Sequence, residues 1–392
     1  MQKFFESAGF QFSAEQYGTF IANGGTALYD DLVELVHYHV SGGQSVVQSV
    51  AKMLLKENFS GEIITFLKSQ TAEMLSDKDF FALIVSANTG EKIPMEALPS
   101  AAPEEEYVWR EFNLSSVEEY EQAFKAVKLE HKWSFFKEQL KPEIRLELTK
   151  TDEIDIPVAS SKIGGKPDLP DDISWPVENN EAPLSFLAQI NLAEIAPADF
   201  NTELPTSGML YFFYSSTQES WGGEIEGADK FKSFYLKDTH GLKRRDFPEF
   251  LVEGIFPSCA VRFRYGYGLP NWEYDFVAKN LEKSEQYPYI DVSSVHNRTR
   301  TKLLGHANSV QGPMEFECEQ VTKGYTWKDT KNEKLKQEIM EHQYDWTLLF
   351  QLDSEREAEM CWGDVGRLFF WIRKSDLKNH HFEKTWMILQ CG

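Results

Sequence analysis

One phrase occurs twice in this chain, and it constrains the fold more than any other feature. Leu184-Ser-Phe-Leu-Ala-Gln189-Ile-Asn191 is followed by Gly208-Met-Leu-Tyr-Phe-Phe213. Leu348-Leu-Phe-Gln351-Leu-Asp353 is followed by Gly366-Arg-Leu-Phe-Phe-Trp371. Each copy sets a glutamine inside an apolar run, then a short carbonyl-bearing side chain, then a glycine opening an aromatic strand. The repetition predicts two half-repeats, about 143–255 and 256–392, related by a pseudo-twofold axis. It speaks to architecture and says little about chemistry.

The remaining periodicities fill in that frame. Over residues 1–93, apolar positions such as Leu28, Leu32, Val36 and Val40 recur at helical spacing, punctuated by Gly24-Gly25, Gly42-Gly43 and Gly61. This predicts a helical bundle. Residues 94–106 hold Pro94, Pro99 and Pro103 and end in three glutamates, the composition of a linker. Ser115-Ser116-Val-Glu118-Glu119 has the form of a capping box opening a helix. A second helix is expected over His131–Leu140, stopping at Lys141-Pro142 because the residue before proline avoids helical geometry.

From Glu143 the period changes to two. Ile144, Leu146 and Leu148 alternate with charged residues, as in a half-buried strand. Further strands are expected at 186–190, 209–214, 231–236, 260–265, 346–352, 367–372 and 386–389. The segment 328–342 is charged and free of Gly and Pro, which predicts an exposed helix. The fold class is therefore α+β: a helical bundle, a linker, and an internally duplicated β-rich domain over 107–392.

Net charge narrows the partners. The chain carries 62 Asp and Glu against 40 Lys and Arg, a balance of −22. Nucleic acid and anionic membrane surfaces are excluded as partners on this ground, because phosphate binding needs a basic face. A basic protein partner fits. The four cysteines lie far apart, with no C-x-x-C pair, so they suit a reducing compartment. The start, Met-Gln-Lys-Phe-Phe-Glu, lacks the apolar core of a signal peptide, and no apolar run reaches membrane-span length. A cytoplasmic location is expected.

No catalytic motif is present: no G-x-S-x-G elbow, no H-E-x-x-H, no calcium loop. No cofactor or metal is expected. Lys162-Ile-Gly164-Gly165-Lys166 is not a phosphate loop, because Pro167 blocks the helix that such a loop must open. A tight structural turn is expected there. Gly266-Tyr-Gly268 lacks the third glycine of a dinucleotide motif.

Candidate ligand-binding residues cluster in the repeated phrase. Gln189 and Gln351 interrupt apolar strands, and a buried amide demands hydrogen-bond partners. Two readings stand: the pair lines a cleft between the half-repeats with Asn191 and Asp353, or each ties down a neighbouring loop. Trp362-Gly363-Asp364-Val-Gly366-Arg367 is the densest polar–aromatic group. There Arg367 suits an anionic ligand, Trp362 offers a stacking face, and Asp364 sits in a turn. The alternative is a plain β-turn. His306 with Glu315, Glu317 and Glu319 has the makings of an oxygen-rich site if the last three share one face of a strand. A solvated strand face, neutralised by Arg262, Arg264, Arg298 and Arg300, is the simpler reading.

The motifs Ser161-Lys-Ile-Gly164-Gly165-Lys-Pro-Asp-Leu-Pro170, Trp175-Pro176, Pro183 through Leu192, Leu303-Leu-Gly305, Gln311-Gly312-Pro-Met and Met360 through Trp371 follow one another in an order that resembles the YwqG-like family. The resemblance covers about residues 130–392. One departure is His306, where an aromatic residue is expected after Leu304-Gly305. The resemblance implies a duplicated α+β domain and carries no reaction, substrate or partner. The sequence thus favours a binding or interaction protein that neutralises a basic partner. The alternative is a small-ligand sensor or hydrolase-like enzyme using a cleft between the half-repeats.

Overall fold

The computed structural model describes residues 114–179, 181–195, 204–294 and 300–392. The helical domain expected over 1–93 and the linker over 94–106 lie outside the described residues. The strands are β1 (Lys141–Lys150), β2 (Lys162–Ile163), β3 (Asp168–Leu169), β4 (Val177–Glu178), β5 (Ala182–Pro183), β6 (Ser185–Asn191), β7 (Met209–Tyr214), β8 (Phe231–Leu236), β9 (Lys243–Arg244), β10 (Cys259–Gly268), β11 (Lys302–Leu304), β12 (Trp346–Asp353), β13 (Arg367–Arg373) and β14 (Trp386–Gln390). Ten of them form one antiparallel sheet in the order β14-β13-β12-β11-β1-β10-β2-β6-β7-β8. The class is mixed helix and strand.

The long pair β1–β10 stands at the middle of this order, and every residue of β1 has a partner, from Lys141↔Gly268 to Lys150↔Cys259. The alternation of Ile144 and Leu146 drives this, since both are fully buried. The expectation of one polar, solvated face is corrected over the first half of β1. Glu143 and Arg145 are buried as well, because helix α1 (Val117–Ala126), helix α2 (Trp133–Lys137) and the segment after β10 cover that end. Their charges are matched: Arg145 Nε donates to Glu143 Oε1 at 2.6 Å, and Lys302 Nζ to Glu143 Oε2 at 2.7 Å. The capping box of α1 forms as its sequence predicts, with Ser116 as N-cap and Glu119 reaching back.

The sheet curls until its two wings touch. Phe212 of β7 packs on Phe350 of β12 and Phe370 of β13, with ring centroids 4.4 and 5.0 Å apart. At the seam, the edge strands β8 and β14 are joined by other contacts than a ladder. Ser233 Oγ donates to the Phe382 carbonyl at 2.6 Å, Trp386 Nε1 to the Gly222 carbonyl at 2.8 Å, and Leu389 N to the Trp221 carbonyl at 3.1 Å. Curling in this way leaves little free strand edge, which limits edge-to-edge association. Among the described residues no helix is long and apolar enough to cross a membrane.

Gly222 fixes the seam. Its φ is +80°, and a Cβ there would stand 1.9 Å from the Met387 carbonyl oxygen. Gly222→Ala is expected to cost roughly 1–3 kcal/mol through positive φ and this clash. Faster amide exchange at Leu389, with little change at Leu146, would confirm that the damage is local to the seam.

Two expectations about helices resolve differently. The exposed helix expected over 328–342 appears, in shorter form, as Glu333–His342 with Asn332 as its cap. Glu315, Glu317 and Glu319 do not lie on a strand. They belong to a helix, Glu315–Thr322, preceded by buried Met314. Met314, Cys318 and Val321 are all buried at helical spacing, which overrides the strand-like alternation of carboxylates.

Candidate functional site

The two glutamines of the repeated phrase perform the same task in different places. In β6, Gln189 lies opposite Lys162 of β2; in β12, Gln351 lies opposite Lys302 of β11. Gln189 Oε1 accepts from Asp168 N at 2.8 Å, and its Nε2 donates to the Ser160 carbonyl at 2.8 Å and Asp168 Oδ2 at 2.7 Å. Gln351 Oε1 accepts from Asn308 N at 2.9 Å, and its Nε2 donates to the Arg300 carbonyl at 2.7 Å and Asn308 Oδ1 at 3.1 Å. Each amide therefore clamps the two ends of the segment that carries a short buried strand, 160–168 or 300–308. The following residues repeat the pattern. Asn191 N donates to Ser161 Oγ at 2.8 Å, and Asp353 N to Thr301 Oγ1 at 3.1 Å.

The surroundings of the two clamps differ. Around Gln189 the polar groups are closed upon themselves. Asp168 is fully buried, receives Arg244 Nε at 2.6 Å, and has Lys162 Nζ 3.7 Å away. Lys162 also donates to Glu153 Oε1 at 2.8 Å. Burial pushes the Asp168 carboxyl upward, but the Arg244 bond and the Lys162 charge outweigh it and hold the group below the usual range. Burial pushes the Lys162 amine down, against the pull of Glu153 and Asp168. The paired Gly164 and Gly165 beside it have φ of +66° and +67°, and their amides bond to the Leu187 and Phe256 carbonyls. They form the structural turn that Pro167 implies, with no amide left for a phosphate.

Around Gln351 the residue in the place of Asp168 is Asn308, which has no charge. Two guanidiniums gather beside it. Arg367 Nε lies 2.8 Å from Asp353 Oδ1, off the line of a hydrogen bond, and an Nη1 of the same group donates to the Asn308 carbonyl at 3.0 Å. Arg300 stands 3.8 Å from Asp353 Oδ2 and is 41% exposed. Burial lowers the affinity of Arg367 for its proton, and Asp353 works against that. Beyond them opens a pocket of about 190 Å³, lined by Arg300, Asn308, Ser309, Arg367, Asn271 and Trp272, among others.

The structure brings together some of the residues singled out from sequence and separates others. Arg367 lines this pocket, while Gln351 and Asp353 stand behind its lining, bonded to Asn308 and paired with Arg367. Trp362 lies behind them, buried, with its Nε1 on the Asp353 carbonyl at 3.1 Å. It packs edge-on against Tyr214 and Phe256, so its face is not available for stacking a ligand. Asp364 is in an exposed turn where its carbonyl takes the Gly392 amide at 3.1 Å. Gln189 and Asn191 belong to the other wing, with β11, β1, β10 and β2 between β12 and β6 along the sheet. A cleft shared by both glutamines is therefore not formed.

His306 is corrected too. It is buried and faces the Gln139 carbonyl at 2.8 Å, away from any carboxylate cluster. Glu315 accepts from Tyr274 Oη at 2.6 Å, while Glu319 takes Trp346 Nε1 at 2.9 Å and Arg373. Arg262 and Arg264 instead bind Glu147 across the sheet, and Arg298 lies outside the described residues. Among the described residues no group of three or more His, Cys, Asp or Glu is arranged to hold a metal ion.

Asn308, Ser309, Trp272 and Arg244 are missed by the sequence reading, and Arg300 enters it only as a neutralising charge. A signal for them exists. Ser161-Lys-Ile-Gly164-Gly165 aligns with Thr301-Lys-Leu-Leu304-Gly305, and Leu304 and Gly305 repeat the positive φ of the glycine pair at +60° and +77°. That alignment carries Asp168 onto Asn308.

Fold and site together define a domain of mixed helix and strand with a curled antiparallel sheet and, among the described residues, a polar pocket beside Arg300, Asn308 and Arg367. The family described as a domain of unknown function, DUF1963, matches residues 161–391, and the chain belongs to that family. No curated protein matches the chain.

Proposed function

We propose that the domain is a small-ligand-binding module whose pocket is the one at Arg300, Asn308 and Arg367. The observation that carries this reading is the contrast between the clamps. The Gln189 clamp is filled by its own ion pairs, whereas the Gln351 clamp supports an open, largely polar cavity. The two wings are, in this reading, a duplicated unit in which one copy keeps a stabilising role and the other binds. The mirrored strand order and the matching clamps support it. The finer likeness to the YwqG-like family rests on the order of the motifs from Ser161 to Trp371.

Native mass spectrometry of the full chain, purified gently from its own host, tests the reading. A small bound mass is expected, and Ser294→Trp, which fills the pocket from its rim, is expected to remove it. A bound mass unaffected by that variant places the ligand elsewhere and removes the pocket from the proposal.

A second reading has one observation in its favour. A charge of −22 suits a cytoplasmic protein that neutralises a basic protein partner, and four cysteines without a disulfide suit that compartment. A protein-sized increment in the same spectra, dispersed by raised salt, is the outcome expected of it.

A further inference from the structure

We infer that the Arg300–Arg367 pocket selects an oxyanion: a small molecule bearing a carboxylate or phosphoryl group on a compact apolar body. This rests on the reading of the pocket as a ligand site and names the ligand's chemistry. The warrant is a surplus of donors over acceptors, fixed by the backbone.

Each amide at the wall has its orientation set by a main-chain N–H. Asn308 N points at Gln351 Oε1, so Gln351 Nε2 must donate, and it does so to Asn308 Oδ1. The NH₂ group of Asn308 is then the arm left over. Asn271 Oδ1 accepts from Glu273 N at 3.0 Å, so its Nδ2 donates to Ser309 Oγ at 2.8 Å. The Ser309 hydroxyl proton is thereby released for another acceptor. Among the described residues the Arg300 guanidinium makes no hydrogen bond, and Arg367 uses only Nη1. Among the described residues no Asp or Glu lines the pocket, although acids outnumber bases by 62 to 40 in the chain. Asp353 beneath it balances one guanidinium and leaves one positive charge in excess.

Guanidinium groups bind planar or tetrahedral oxyanions through paired N–H bonds, at closer to twice the strength of neutral hydrogen bonds. Trp272 and Ile290 supply an apolar wall for the rest of the molecule. A pocket of about 190 Å³ suits a small molecule.

The first wing shows what would silence the site. There an aspartate, Asp168, occupies the corresponding place and absorbs Arg244 and Lys162. Asn308→Asp should reproduce that state: Gln351 keeps an oxygen to donate to, as Gln189 does, while the new carboxylate captures the guanidiniums.

The test is calorimetric titration of the full chain with phenyl phosphate, benzoate and the neutral isostere benzamide. Expected is binding of at least one anion, with benzamide about tenfold weaker or more. Arg300→Gln, at an exposed side chain with no hydrogen bond to lose, should weaken the anion about tenfold and leave benzamide unchanged. Asn308→Asp should abolish anion binding while the protein stays folded. Tighter phenyl phosphate than benzoate would identify a phosphoryl ligand, and the reverse a carboxylate. Equal binding of benzamide and the anions, or indifference to both variants, overturns the oxyanion inference and leaves the pocket standing. Binding by none of the three, together with no native adduct, overturns the pocket itself.

Discussion

Asp168→Ala is expected to lower the unfolding free energy by about 3–5 kcal/mol, the range for removing one partner of a buried ion pair. Asp168 is fully buried and serves four donors: Arg244, the Gln189 amide, the Ala159 N–H at 2.9 Å, and Lys162 at longer range. Removing it leaves a lysine with no exposed side-chain surface short of a counter-charge, held by Glu153 and the Lys166 carbonyl. It also removes one of the two bonds that Gln189 Nε2 donates, while the main-chain bonds of Gln189 to Asp168 N and the Ser160 carbonyl remain. Asp168→Asn separates these effects. It keeps a carbonyl oxygen for Gln189 and loses only the charge, so it should cost less than the alanine variant. Urea unfolding of both variants, followed by tryptophan fluorescence, gives the numbers. A loss below 1 kcal/mol for Asp168→Ala would mean that the network is incidental to stability.

The reach of the sequence is set by how local each cause is. The strands over 209–214 and 231–236 are legible to the residue, because a continuous or alternating apolar run bounded by turn residues has one solution. The strands β2 and β11 span two and three residues, too short for any period, and each carries a lysine that faces inward. A buried lysine becomes intelligible only once Glu153 or Glu143 is known to meet it, and those pairings span 9 and 159 positions of chain. The helix over 315–322 is misread because alternating glutamates mimic a strand, while its apolar stripe of Met314, Cys318 and Val321 is short.

The candidate site was legible in part for the same reason. The glutamines stand out as polar residues in apolar strands, and their need for partners follows from desolvation. Which partners they take depends on segments from far along the chain, Ser160–Asp168 and Arg300–Asn308. The decisive difference between the wings is the single exchange of an aspartate for an asparagine. Its meaning rests on guanidiniums brought in from β9 and β13, so pattern alone does not carry it.

Acidification is expected to destabilise the domain through His306, by about 2–3 kcal/mol between pH 7 and pH 4.5. The ring is buried, and its Nε2 faces a backbone carbonyl, Gln139, which only accepts. Nε2 therefore carries the proton of a neutral imidazole. Burial, with the nearby charge of Lys141, pushes the folded pKa down to about 3; the Gln139 bond and Glu143 oppose the shift, and Lys302 adds to it. The unfolded histidine titrates near 6.5. Between these values the unfolded chain binds a proton that the folded chain does not. The stability is therefore fully present above 6.5 and falls as the pH drops toward 3. Glu315 has the opposite sign, since burial raises its pKa and favours its protonated, folded form at low pH. It offsets part of the loss. His306→Gln keeps a donor for the Gln139 carbonyl and removes the titrating ring. Its unfolding free energy should change less between pH 7 and 4.5 than that of the parent, by about 2 kcal/mol. Parallel pH profiles for the two proteins between pH 7 and 4.5 would overturn the assignment to His306; Asp168, whose carboxyl is held below its ordinary value of 3.8, loses its contribution only below that range.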